Sequence, residues 1–280
     1  MTQKGTLFVV ATPIGNLSDI SQRAIEVLNS VDFVAAEDTR NTKMLLEKLG
    51  SSTLIQSYHD FSDIGASGCI VQSIINGDSV ALVCDAGTPL ISDPGYKLVR
   101  LARENDIAVI PIPGASAVVA ALSVSGLPTD RFLFEGFIAS KRAAKIKQFQ
   151  ALLFETRTIV FFESKHRVEE SLILLSEIFP ETRHIFIARE ISKKFESHFL
   201  GSAKQCLDWL KSTPYQNKGE FVLVVGGCEV SSVEAMLHRK ALIIVDKLLS
   251  MMSTKDAVRI ASEITGAKKN ALYEAVLARS

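Results

Sequence analysis

Residues 83–96 read VCDAGTPLISDPGY. An apolar run ends in Asp85, passes through Gly87-Thr88-Pro89 and meets a second acid, Asp93, just before Pro94-Gly95. A plain connector turns with one Gly or one Pro. This one carries two of each, together with polar side chains that include Asp85, Thr88 and Asp93. That composition belongs to a loop whose shape is specified. The run before it, SVALVC (79–84), has the pattern of a buried strand, and GYKLVRLARE (95–104) that of a helix.

The same strand–loop–helix unit recurs on both sides. TLFVVA (6–11), DFVAAED (32–38), TLIQSY (53–58) and IAVIPI (107–112) read as strands. Helical segments separate them, ending with PGASAVVAALSVSG at Gly126. The helix in SDISQRAIEVLNS is expected to be capped by Ser18 or Asp19, with Gln22 completing a capping box. Continuous Val/Ile/Leu runs alternating with helices specify a mainly parallel sheet covered on both faces. The carboxyl ends of such strands share one edge, where ligands bind. TPIGN, EDTR, YHD, CDAGTPLISDPG and PIPGAS all fall there. Asp93 reads more safely as the cap of the following helix.

After LPTD (127–130) the pattern changes. RFLFEGF, RTIVFFES, HIFIARE, FESHFLG and GEFVLVVGG lie close together, with fewer helices between them, as in a second α/β domain with a mixed sheet. Beyond GGCEV no strand is expected. STKDAVRIASEITGAKKNALYEAVLARS reads as two helices joined at Gly266, a helix-turn-helix pattern or a small helical cap. The expected division is 1–127, 128–230 and 231–280.

The totals narrow the class. With 280 residues, 47% hydrophobic and 22% charged, the chain can bury two cores. Net charge is zero, so any polyanion binding must come from local patches. Cys69, Cys84, Cys206 and Cys228 are scattered, with Cys84 and Cys228 read as core thiols, and the histidines lack ligand spacing, so no metal is expected. No run reaches the ~18 apolar residues of a membrane span, and the N-terminal run is too short for a signal peptide. A reduced cytoplasm is the expected compartment. GxxxxGK[ST], GxGxxG and GxSxG are all missing from the sequence.

TPIGNLSDISQRA, AAEDTR, DAGTPLISDPG, PIPGASA, GLPTDRFLFEGF, FFESKHR, ARE and KKNALYEAVL together resemble the bacterial family of small-subunit ribosomal RNA methyltransferase I, within the tetrapyrrole methylase superfamily. The resemblance runs from about Leu7 to Leu277. It implies two α/β domains of the tetrapyrrole methylase type with S-adenosylmethionine between them. It also implies a C-terminal helix-turn-helix-like module, a homodimer, and methylation of a cytidine ribose 2′-oxygen in the decoding region of 16S rRNA within the 30S subunit. The implied cofactor contacts are Pro13, Asp85, Thr88, Ile91, Ser116, Ala117, Phe162 and Ala188. The family pattern has Ser more often at Cys84, Tyr at Phe162, and a small or apolar residue at Lys165.

Methyl transfer to a hydroxyl needs alignment and a proton acceptor. Asp85 and Glu37 are the leading acidic candidates, with Glu163 behind them. Asn16, Arg40, Arg167, Arg189, Lys268 and Lys269 are the candidates for RNA contact, with SKRAAKIK (140–147) as a further basic stretch. Glu37, Asp38 and Arg40 also read as a plain ion-pair cluster at a helix start. Two rival functions remain at this stage: methylation of a tetrapyrrole, and nucleotide binding without catalysis.

Overall fold

The computed structural model of the chain describes residues 4–58 and 64–278. His59 and Asp60, of the YHD segment, lie outside them. In the described residues of the first part strands alternate with α-helices: β1 (Thr6–Val10), α1 (Gln22–Ser30), β2 (Phe33–Ala36), α2 (Thr39–Lys48), β3 (Leu54–Ser57), α3 (Ile64–Ile75), β4 (Val80–Val83), α4 (Tyr96–Glu104), β5 (Ala108–Ile112) and α5 (Ala117–Val124). The strands are parallel, in the order β3-β2-β4-β1-β5. Neighbouring residues on a strand serve opposite faces. Leu82 packs with Leu7, Ile74 and Leu98, while Val83 packs with Val10, Leu28 and Val34. Both faces are apolar because helices cover both. Pro111 is tolerated because β5 is an edge strand.

One cap differs from expectation. Ser21, not Ser18 or Asp19, caps α1, its side chain accepting from Ala24 N at 3.1 Å. Leu17–Asp19 form a separate 3-10 turn capped by Asn16, and extended Ile20 ends it. Gln22 is therefore the first helical residue, where no capping box can form, and its side chain reaches Glu26 instead.

The second part contains β6 (Phe132–Phe137), α6 (Arg142–Ala151), β7 (Thr158–Ser164), α7 (Val168–Ile178), β8 (Ile185–Arg189), β9 (Ser197–Gly201), α8 (Ala203–Lys211) and β10 (Glu220–Val225). Its sheet, β6-β7-β10-β8-β9, is mixed: β6 and β7 are parallel and the other pairs antiparallel. Since β10 runs against β7 and β8, its N-terminal end sits beside their C-terminal ends. Phe149, Phe161, Leu172, Ile187 and Leu223 belong to the core of this part.

Three helices close the chain: α9 (Val230–Leu248), α10 (Thr254–Thr265) and α11 (Lys269–Leu277). Ser253 caps α10, and Gly266 ends it at φ 77° in the left-handed conformation that favours glycine. Their core is Ala241, Leu242, Val245, Val258, Ala261 and Leu272. The sequence reading assigned no element to α9. Its pattern was present, because Leu237, Ala241, Leu242, Val245 and Leu248 recur at helical spacing on the packed side. Cys84 and Cys206 are buried and Cys228 only half-buried, so the core-thiol expectation holds for Cys84 and not for Cys228. Among the described residues no helix is long and apolar enough to cross a membrane.

Candidate active site

The opening stretch is tied to three neighbouring loops. Asp85 accepts from Asp38 N at 3.3 Å and from Asn41 Nδ2 at 3.0 Å, which binds it to the loop after β2. Gly87 exchanges two backbone bonds with Thr12, at 2.9 and 3.0 Å, which binds it to the loop after β1. Thr88 Oγ1 donates to Ala115 O at 3.1 Å, which binds it to the loop after β5. Asp85, Gly87 and Thr88 thus each hold one neighbouring loop. The glycines are needed for backbone shape: Gly87 has φ 88° and Gly95 φ 133°. At Gly95 a Cβ would lie 2.9 Å from both Leu82 and Leu90.

This loop forms one wall of a cavity of about 580 Å³, within the range of small-molecule sites. The opposite wall is built from the C-terminal ends of β7 and β8 and the N-terminal end of β10, through Phe162, Glu163, Glu190 and Gly219–Val222. Gly219, at φ 100°, lets the chain pass where a Cβ would come within 2.5 Å of the Glu190 carboxyl. Leu90 (φ 74°), Ser92 (φ 68°), Glu190 (φ 52°) and Ser192 (φ 65°) all hold left-handed backbones without being glycine. Such backbones cost on the order of 1–3 kcal/mol each and collect at functional sites. The walls also touch. A bulge in β6 at Gly136 brings that strand up to Ser92, Lys193 packs over Gly15, and Ser192 Oγ donates to Asp19.

Phe162 is held edge-to-face by Phe134 and Phe137, with centroids 5.0 and 5.5 Å apart. Phe137 lines the cavity beside it. Ser116 begins α5 but makes no side-chain capping bond, and it lines the cavity with Ala117.

Of the expected cofactor contacts, Asp85, Thr88, Ile91, Ser116, Ala117 and Phe162 line this one cavity. Pro13 and Ala188 are not among the lining residues. Ile14 takes the place next to Pro13, and Ala188 is fully buried in a core with Val160 and Val222. Sequence reasoning missed Phe137, Lys165, His166, Ile191, Lys193 and the start of β10. The last follows only from the antiparallel course of β10.

The acidic candidates differ sharply. Glu163 is buried, and its carboxylate accepts from Ser171 Oγ at 2.6 Å, Ser164 N at 2.7 Å and Arg167 Nε at 3.0 Å. It also lies 3.9 Å from the fully buried Lys145 ammonium. Its oxygens are thus engaged by neighbouring side chains and backbone. Glu37 follows β2 and is half-buried; it is not among the lining residues. Asp93 does line the cavity, and Gly95, not Asp93, is the N-cap of α4. Burial pushes the Asp93 carboxyl up to about 6, with the charges of Glu37 and Asp85 adding to the effect and the Cys84 thiol opposing it. Burial and the nearby Asp93 charge likewise raise the Cys84 thiol.

Several expected RNA contacts are occupied. Arg189 is buried, and its Nε, Nη1 and Nη2 donate to the carbonyls of Lys218, Phe195 and Tyr215 at 2.7, 2.8 and 3.0 Å. Arg167 is partly exposed and spends Nε on Glu163. In SKRAAKIK, Lys145 is buried against Glu170 and Arg142 faces Glu170 and Glu177. Arg40 is exposed and holds Asp38 through two bonds, lowering that carboxyl to about 2. Asn16 is exposed and caps its turn. Lys268 pairs with Glu234 at 2.8 Å, and Lys269 is exposed at the start of α11.

Comparison with known proteins agrees with this architecture. Residues 6–206 match the family model of Tetrapyrrole (Corrin/Porphyrin) Methylases, and residues 238–280 that of the RsmI C-terminal HTH domain. The chain is 45% identical to "Ribosomal RNA small subunit methyltransferase I" of Pseudomonas aeruginosa, covering 98% of each chain. It is 42% identical to the protein of the same name in Escherichia coli O157:H7, over 98% of this chain and 95% of that one. Among solved structures, diphthine synthase aligns with a TM-score of 0.60 at 15% identity, over 79% of this chain and 90% of the other. Uroporphyrin-III-C-methyltransferase of Thermus thermophilus aligns at 0.56 and 19%, over 80% and 94%; at such identities the likeness is one of fold. With a matching model over most of its length and relatives above 40% identity end to end, the chain belongs to the tetrapyrrole methylase family.

Proposed function

We propose that this chain is a methyltransferase that carries the methyl group of S-adenosylmethionine to 16S rRNA, at the ribose 2′-oxygen of a cytidine in the decoding region. The observation that carries the reading is the single cavity between the two walls, which gathers Asp85, Thr88, Ile91, Ser116, Ala117 and Phe162. The names of the full-length relatives supply the substrate class.

The residues present suit an adenosyl amino acid. Ile91, Ala117, Phe137 and Phe162 offer apolar surface for a flat ring. The loop 86–88 offers backbone groups, and Ser116 a hydroxyl that is not spent on capping its helix. When bound, the sulfonium donor supplies an already electrophilic methyl group. The protein's task is to hold the acceptor oxygen in line with it and to take one proton. Alignment alone can lower a barrier by up to about 7–11 kcal/mol. The three-loop tether of residues 85–88 supplies the rigidity this requires.

In this reading residues 1–127 and 128–230 hold the donor between them, and 231–280 reach the RNA. Lys268, Lys269 and Arg40 supply charge to the phosphates. The chain works in the cytoplasm, where 30S subunits are assembled, as a homodimer, which sedimentation equilibrium tests. The functional test is incubation of the full chain with S-adenosylmethionine labelled in its methyl group and 30S subunits lacking this modification. Label is expected in the 2′-O-methylated cytidine after nuclease digestion. Label in a tetrapyrrole instead, or donor bound and never consumed, would refute the proposal.

A further inference from the structure

Resting on that reading, we infer that Asp93 is the proton acceptor of the reaction. Among the described residues five carboxylates line the cavity: Asp85, Asp93, Glu163, Glu190 and Glu220. Strong donors hold four of them. Glu163 is bound by a backbone N–H, a hydroxyl and a guanidinium, as described above. Glu190 accepts from Glu220 N at 2.9 Å and Lys193 Nζ at 3.1 Å. Glu220 faces the same ammonium at 2.8 Å. Asp85 has one oxygen on a backbone N–H and the other on the Asn41 amide. The lone pairs of these four are engaged before any substrate proton arrives.

Asp93 stands apart. Its hydrogen-bonding neighbour is the Cys84 thiol, a weak donor that is also within reach of Ala86 O at 3.3 Å and Gly87 O at 3.4 Å. The other charges acting on it from its own wall, Glu37 and Asp85, are anions. Across the cavity the cations among the described residues are Lys165, His166 when protonated, and Lys193, the last committed to Glu190 and Glu220. The half-buried carboxylate therefore keeps a basicity suited to neutral pH. It is also fixed in place, because its loop is strained at Leu90 and Ser92 and wedged by Gly95.

The step balances. The acceptor oxygen forms a bond to the methyl carbon as the carbon–sulfur bond breaks. The electron pair of that bond stays on sulfur, leaving a neutral thioether, and the hydroxyl proton passes to an Asp93 carboxylate oxygen. That proton then leaves to solvent.

The test is single-turnover methyl transfer to unmodified 30S subunits at saturating donor, with donor affinity measured separately by equilibrium dialysis. The variants are Asp93→Asn, Asp93→Glu and Asp85→Asn. Asp93→Asn is expected to bind donor within about threefold of wild type and to lose ~10²–10⁴-fold in rate. Asp93→Glu should recover part of that loss. The wild-type rate should rise through an inflection near pH 6, which Asp93→Asn abolishes and Asp85→Asn retains. Transfer by Asp93→Asn at the wild-type rate would overturn the inference, as would an inflection lost in Asp85→Asn instead. Should Asp93→Asn fail to fold, a wild-type profile flat from pH 5 to 7 would overturn it equally. A wild-type protein that methylates no RNA would sink the functional reading itself, whereas an active wild type matched by Asp93→Asn sinks only this assignment.

Discussion

The two walls of the cavity are built on opposite plans. On the first, the loop 84–95 spends its side chains on neighbouring loops and leaves Asp93 with a thiol. On the second, acids and bases neutralise one another, Glu163 with Lys145 and Arg167, Glu190 and Glu220 with Lys193, and three backbone carbonyls satisfy the donors of Arg189. A buried charge must be paired or it destabilises the fold. The second wall meets that demand fully, so its polar groups hold shape. The first meets it poorly at one residue, and reactivity is retained there.

The contrast can be broken most forcefully at Glu163. Glu163→Ala leaves the fully buried Lys145 with Glu170 alone, and the cost should be about 3–5 kcal/mol, as when one partner of a buried pair is removed. Chemical denaturation measures it. An effect below about 1 kcal/mol would mean that this wall is less tightly tied than its bonds indicate.

A smaller effect is expected at Gly219. Gly219→Val forces a branched side chain to φ 100° and onto the Glu190 carboxyl. The strain is about 1–3 kcal/mol, and displaced Glu190 should weaken donor binding in calorimetry. Unchanged affinity would remove Glu190 from the cavity's working surface.

At Asp93 the sign reverses. Its folded-state value of about 6 lies above the ~3.9 of an unfolded Asp. The native state therefore holds the proton more tightly, and this contribution is present below pH 4 and lost as pH rises through 6. Asp93→Asn should thus be more stable than wild type at pH 8, by about 1 kcal/mol after discounting for solvent screening, and equal to it at pH 4. Most substitutions destabilise, so a gain confined to high pH would be distinctive.

The smallest effect is expected furthest from the cleft. Lys269→Glu should weaken binding to 30S RNA and make the salt dependence shallower by about one unit of log–log slope. Lys268→Glu should do less through the RNA, because Lys268 already pairs with Glu234. Identical salt slopes in wild type and variants would take α11 off the RNA surface.

What the sequence revealed follows from the range of each signal. Strand periodicity and turn residues are local, so the loops after β1, β2, β4 and β5 and the importance of VCDAGTPLISDPGY could be read directly. The parity of Leu82 and Val83 needed only the knowledge that both sheet faces are covered. Long-range pairing left no such trace. Nothing near Lys145 announces that it is buried against Glu163 and Glu170, and nothing near Arg189 shows that three carbonyls consume it. Asp93 resembled a helix cap because Asp is a favoured N-cap and Pro a favoured first helical residue. The backbone at Gly95, φ 133°, turns the chain so that the cap falls two residues later. The Gly219–Val222 side of the cavity depended on strand direction, which composition does not encode.

The most direct test of this division compares Asp93→Asn with Glu163→Gln, both confirmed folded by near-ultraviolet circular dichroism, in one single-turnover methyl-transfer assay at 20 °C and about pH 7.5. The rate should fall at least ~100-fold in Asp93→Asn and less than about threefold in Glu163→Gln, whose loss should appear in stability instead. The reverse outcome, a silent Asp93→Asn beside a folded but inactive Glu163→Gln, would place the chemistry on the wall described here as scaffold.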